Sequence, residues 1–147
     1  MTKVLVLGIG NRLMRDDGIG VNVVEALMKG NKENNIRYLV GETDVDFCLT
    51  AINDADRLFI VDATNAGEEA GQVTCLALED FAVMEKGISL HNLHLFSIIP
   101  VMYPQLEVEV IGIEAHTIDY GFGLSDTLKL RMHTIIHKVQ QIIQLHL

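Results

Sequence analysis

Residues 4–20 read VLVLGIGNRLMRDDGIG, and the fold turns on how this stretch is divided. The apolar run Val4, Leu5, Val6, Leu7 is too short for a helix and rich in β-branched residues, which suits a strand buried on both faces. Gly8 and Gly10 allow a sharp exit from it, and Asn11 tolerates left-handed backbone angles. From Val21 the apolar period changes: Val21, Val23, Val24, Leu27 and Met28 share one face of a helix. Asp16 and Asp17 therefore sit in a strand-to-helix loop at the carboxyl edge of a buried strand, where open α/β sheets bind their ligands.

Working outward, the spacing predicts a first helix over about 17–29 and a strand over 36–40. A short helix follows, with Thr43 or Asp44 as N-cap and Val45, Cys48, Leu49 and Ile52 on its apolar face. Residues 57–61 are a second strongly apolar strand, ending on Asp62. Val73, Cys75 and Ala77 alternate with their neighbours and predict a less buried strand, and 79–86 predict one or two helical turns. A helix over 92–99 is expected to stop at Pro100, before a strand that reaches 113 and a glycine-containing loop over 114–124. Ser125 then caps a last helix bearing Leu128, Met132, Ile135, Val139, Ile142 and Ile143 on one face. This order predicts a single domain over 1–147, a three-layer α/β/α architecture with a roughly five-stranded mixed, twisted sheet flanked by helices.

Composition narrows the function. The chain is 49% hydrophobic and 21% charged, which predicts a packed core, not disorder. Its net charge of −9 argues against nucleic-acid binding and against an anionic membrane surface. No apolar run approaches the ~20 residues of a membrane helix, and residues 1–3 lead straight into the first strand without a signal peptide. Cys48 and Cys75 lie in separate apolar segments and read as reduced core thiols. A cytoplasmic protein is expected.

A dinucleotide reading of the glycines fails, because the third glycine of GxGxxG would fall on Leu13 and the two acids would repel a pyrophosphate. No P-loop and no GxSxG elbow occurs. One of the adjacent acids can offset the helix macrodipole; two repel each other, and the second fits a bound cation. Asp62 is either a cap or a functional carboxylate. His91, at the start of an apolar helix, is a cap, a core residue or a ligand, and His94 a cap or core residue; His133, His137 and His146 are expected to be solvated. Two carboxylates and one imidazole suit a divalent metal such as Ni, Zn or Mn with positions left open.

Four motifs carry a resemblance: G-I-G-N-x-L-x-x-D-D-G-I-G at 8–20, I-V-D-A-T at 60–64, S-x-H-N-L-x-L at 89–95, and Gly112, Glu114, Gly123 and Ser125 near the end. Together, in order over nearly the whole chain, they resemble the nickel–iron hydrogenase maturation endopeptidases, which trim the C-terminus of the hydrogenase large-subunit precursor. The resemblance implies a metal-binding and catalytic triad of Asp17, Asp62 and His91, with Asp16 left as the helix cap. It implies Ni2+ contributed with the precursor, Zn2+ or Cd2+ substituting in the isolated protein, and a monomer. Hydrolysis would use a metal-polarised carbonyl or water, or a carboxylate general base as in an aspartic-type peptidase. In the loop after the second strand, Gly41-Glu42-Thr43 stands where the family often has Gly-Gly-Thr. Gly41 and Thr43 are expected to line the substrate groove, with Glu42 adding bulk and charge. The alternatives are a non-catalytic nickel-sensing or chaperone-like relative and a spore-protease-like peptidase of the same fold.

Overall fold

The opening apolar run forms β1 (Val4–Ile9), buried at every residue. The computed structural model describes residues 1–83 and 90–147, and for 82, 83, 90 and 91 the backbone alone. The elements that follow β1 are α1 (Ile19–Gly30), β2 (Ile36–Glu42), α2 (Val45–Ile52), β3 (Arg57–Thr64), β4 (Val73–Ala77), α3 (Leu78–Val83), α4 (Leu90–Met102), β5 (Glu107–Glu114) and α5 (Asp126–Leu145). The sheet runs in the order β2-β1-β3-β5-β4. Its first four strands are parallel, and β4 is an antiparallel edge. The expected mixed five-stranded α/β sheet is what forms.

The period of two in each strand divides the core into two layers. Val4, Val6, Phe59, Val61, Ile111 and Ile113 point to one face and pack with Val23, Val24 and Leu27 of α1 and Leu128, Ile135, Val139 and Ile143 of α5. Leu5, Leu7, Leu58, Ile60, Val108 and Val110 point to the other, under Cys48 and Ile52 of α2, Phe81 of α3, and Leu95, Phe96 and Ile99 of α4. Asp44 is the cap of α2, accepting from Phe47 N at 3.0 Å, and Ser125 caps α5, its Oγ accepting from Leu128 N at 3.3 Å.

Two helix limits differ from the sequence expectation. A 3-10 turn over Arg15–Gly18 occupies the expected start of the first helix, and α1 begins only at Ile19. Pro100 does not stop α4, which continues to Met102. The ring removes one donor near the helix end and lies exposed, while Tyr103 N still donates to Ile99 O at 2.8 Å. Part of the helical turns expected over 79–86 lies outside the described residues.

Candidate active site

From β1 the chain turns one way to β2 and then crosses to β3 on the other side of β1, so the strand order reverses between β1 and β3. A crevice outside the carboxyl ends of the strands forms at such a point. Asp17 follows β1 and Asp62 lies near the end of β3, which brings the two predicted carboxylates to this crevice. Close approach of backbone builds it. A Cβ on Gly20, in the first turn of α1, would lie 2.2 Å from Val61 O, and a Cβ on Gly10 (φ +133°) would lie 2.0 Å from Asp17 O. The tight packing that a third dinucleotide glycine would supply thus falls to Gly20.

Asp17 is half-buried, and its Oδ2 accepts from Asn11 N at 2.8 Å, which pins the carboxylate against the strand exit. Asp62 is buried, with 1% of its surface exposed. It shares the strand face of Ile60, on the α4 side of the sheet, where Oδ1 accepts from Ala63 N at 2.8 Å and Oδ2 accepts from the Asn92 amide. Burial pushes its carboxyl well above the usual carboxylate range, and the charge of Asp17 pushes it further. His91 is on the first turn of α4, immediately before Asn92, but its side chain lies outside the described residues. Asn92 itself was missed from sequence; a polar residue breaking an apolar helix beside a candidate ligand was the available signal.

Asp16 corrects an expectation. Among the described residues, no side chain caps the 3-10 turn at Met14 or α1 at Gly18. Asp16 is fully buried instead, and its carboxylate accepts from His116 N at 3.0 Å, Thr117 N at 2.8 Å, Ser125 N at 2.7 Å and Ser125 Oγ at 2.7 Å. It latches the 114–125 loop, and the cap of α5 with it, to the loop that carries Asp17. Glu114 does similar work on the other side, accepting from Thr64 Oγ1 at 2.8 Å, Ala66 N at 3.0 Å and Gly67 N at 3.1 Å, so that the chain leaving Asp62 is held. Next to it opens a cavity of about 260 Å³, lined by Thr64, Gln72, Leu76 and Phe81 among others.

In the loop after β2, Thr43 is exposed and borders a shallow depression with Ile9, Asn92 and Leu95. Gly41 does not line that depression: it is buried, and a Cβ on it would lie 2.4 Å from Cys48 Sγ. Glu42 adopts φ +50°, a conformation that favours glycine, and its carboxylate accepts from Arg12 Nε at 2.8 Å. Arg12 also donates to Glu25 at 2.9 Å, so one guanidinium ties the first loop to β2 and α1. His94, His133 and His137 are exposed. His146 departs from the expected solvated position: it is half-buried and stands edge-on to Phe59, with ring centroids 6.4 Å apart. Among the described residues no helix is long and apolar enough to cross a membrane.

Comparison with known proteins identifies the family and the fold. The chain is similar to the hydrogenase expression/formation protein HupD of Rhizobium leguminosarum bv. viciae, 39% identical over 95 residues that make up 61% of this chain and 46% of that protein. Across three HupD relatives the match covers between 44% and 62% of their length, so the chain spans less than two-thirds of these relatives. It is 28% identical over 143 residues to the hydrogenase 3 maturation protease of Escherichia coli, covering 95% of this chain and 90% of that one. Its fold is that of the E. coli hydrogenase maturating endopeptidase HybD, with a TM-score of 0.82 over 97% of this chain and 93% of that one, at 24% identity. The family model described as hydrogenase maturation protease matches residues 21–142, and the chain belongs to that family.

Proposed function

We propose that the chain is a cytoplasmic, monomeric endopeptidase that removes the C-terminal extension of a nickel–iron hydrogenase large-subunit precursor. Nickel arrives as part of the substrate and is read by Asp17, Asp62 and His91. The observation that carries this reading is the buried Asp62 carboxyl facing the charge of Asp17 at the strand crossover. Two like acids held in one crevice destabilise each other until a divalent cation neutralises them. Two carboxylates with an imidazole suit Ni2+, and Zn2+ or Cd2+ can stand in for it in the isolated protein.

Held by Asp17, Asp62 and His91, a metal would supply Lewis-acid polarisation of the scissile carbonyl or a water, and the paired acids allow an aspartic-type route as well. In that route Asp62 holds a proton because of its burial, and Asp17 takes one from the attacking water. The carbonyl carbon gains the hydroxyl, the C–N bond breaks, and the amine leaves with the Asp62 proton. A protein substrate also fits the rim. Leu13, Tyr120 and Phe122 are 62%, 83% and 73% exposed on two loops joined by the Gly121 N to Leu13 O bond of 2.9 Å. Exposed apolar side chains on the loops that flank the Asp16–Asp17 turn suit docking of a partner chain.

Incubation of the purified protein with nickel-loaded and nickel-free precursor tests the proposal. Loss of the C-terminal mass from the nickel-loaded form alone is expected. Asp17→Ala and His91→Ala should each slow that cleavage by about 10²-fold or more while circular dichroism stays unchanged. A nickel-loaded precursor that binds but keeps its mass would identify the chain as a non-catalytic nickel sensor.

A further inference from the structure

On the α5 side of the sheet, away from the crevice, three side chains with different ligand atoms converge. The Cys75 Sγ, a Glu109 carboxylate oxygen and a His146 ring nitrogen all lie within 4.8 Å of one another, half-buried. Three elements bring them together. Cys75 lies on β4 and Glu109 on β5, where Glu109 is paired with Ala77, so the two are diagonal neighbours on one sheet face. Just beyond α5, at its C-cap, His146 reaches over Phe59, the β3 residue paired with Glu109. Since Asp62 is three residues beyond Phe59 on β3, the cluster is about 10 Å back along the strands from the Asp17–Asp62 crevice.

We propose that Cys75, Glu109 and His146 form a second metal site, selective for a soft divalent cation of the zinc type. The orientation of each group supports it. Glu109 Oε1 accepts from Arg57 Nη2 at 3.4 Å, which aims Oε2 at Cys75 Sγ, 3.8 Å away. Arg57 is shared with Glu107 at 2.9 Å, so its charge does not cancel that of Glu109 alone. The His146 Nδ1 stands 2.8 Å from Ile142 O. A ring that donates Nδ1–H to a backbone carbonyl keeps its lone pair on Nε2, the arrangement that orients metal-bound histidines. Thiolate, imidazole and carboxylate form a mixed donor set that suits zinc with water in the fourth position. Tetrahedral zinc places its ligand atoms about 3.5 Å apart, so the sulfur–oxygen pair is nearly in place and the remaining distances close by about 1 Å of side-chain movement. On binding, the cation displaces the Cys75 thiol proton to solvent. The bound ion would clip the end of α5 to the antiparallel edge of the sheet.

Cobalt titration of the metal-free protein tests this, with Co2+ as a coloured stand-in for Zn2+. A thiolate-to-cobalt charge-transfer band saturating at one ion per chain, and bleached by Zn2+, is the expected result. Cys75→Ser should abolish the band, His146→Gln should weaken binding at least about tenfold, and Asp17→Asn should leave it intact. Absence of the band in the wild type, or its survival in Cys75→Ser and loss in Cys48→Ser, overturns the proposal. Circular dichroism of each variant precedes titration. Should Cys75→Ser not fold, His146→Gln, altered at the end of the last helix, decides the matter by the same criterion. The readout does not depend on whether the crevice cleaves a precursor.

Discussion

Removal of the Asp16 carboxylate would leave the amides of His116, Thr117 and Ser125 and the Ser125 hydroxyl without their acceptor in a buried position. Asp16→Ala should therefore cost about 3 kcal/mol, since bonds to a buried charged acceptor exceed neutral ones. In a chain of this size that lowers the thermal midpoint by roughly 6–12 °C. Asp17→Asn keeps an acceptor for Asn11 N and should melt within a few degrees of the wild type, so thermal melts separate the two neighbours. Asp62 carries the pH dependence. Its folded pKa is raised above the ordinary value of 3.8, so the folded chain keeps the proton to a higher pH than the unfolded chain does. The stability it contributes is full below 3.8 and is lost as pH rises through the folded pKa. Asp62→Asn should raise the midpoint by a few degrees at neutral pH, and the gain should vanish as pH falls toward 4. That Asp16 latches a distant loop instead of capping the helix was not legible in sequence, because its partners lie about a hundred residues away.

The contact between β2 and α2 is tight where Gly41 meets Cys48. A methyl placed on Gly41 would sit 2.4 Å from the thiol sulfur. Gly41→Ala should destabilise the fold by about 1–3 kcal/mol, and Cys48→Ala in the same chain should return most of that loss, a coupling that denaturant titration of the double-mutant cycle measures. The helix and strand positions were readable because their cause is local: period two placed Leu5 and Val6 in opposite core layers, and the 3.6-residue period of α5 placed Leu128, Ile135 and Val139 on one stripe. Sequence pattern and structure part where local pattern competes with packing. Proline at position 100 predicts a stop, yet a single missing donor near the end of a helix packed through Leu95, Phe96 and Ile99 does not end it. Helix phase predicts a solvated His146 but says nothing about the sheet beneath the last turn, where Phe59 of the central strand β3 receives it.

At the level of the molecule, the crevice is a product of strand order. Sequence reading placed Asp17 and Asp62 at carboxyl edges, but their meeting requires β1 and β3 to be neighbours, and adjacency is decided by burying both faces of the sheet. The latch at Asp16 has a further effect, on the order of events during folding. It joins residue 16 to residue 125, a separation of 109 positions, and Arg15 N also donates to Gly121 O at 3.0 Å. Contacts this distant along the chain form late, after loop-closure entropy has been overcome. A chain still emerging from the ribosome can pair β1 with β2 and β3, yet it holds no acceptor-matched loop beside Asp17 until β5 and the start of α5 have been made. The loop carrying Asp17 is thus latched only once the last helix has begun to form.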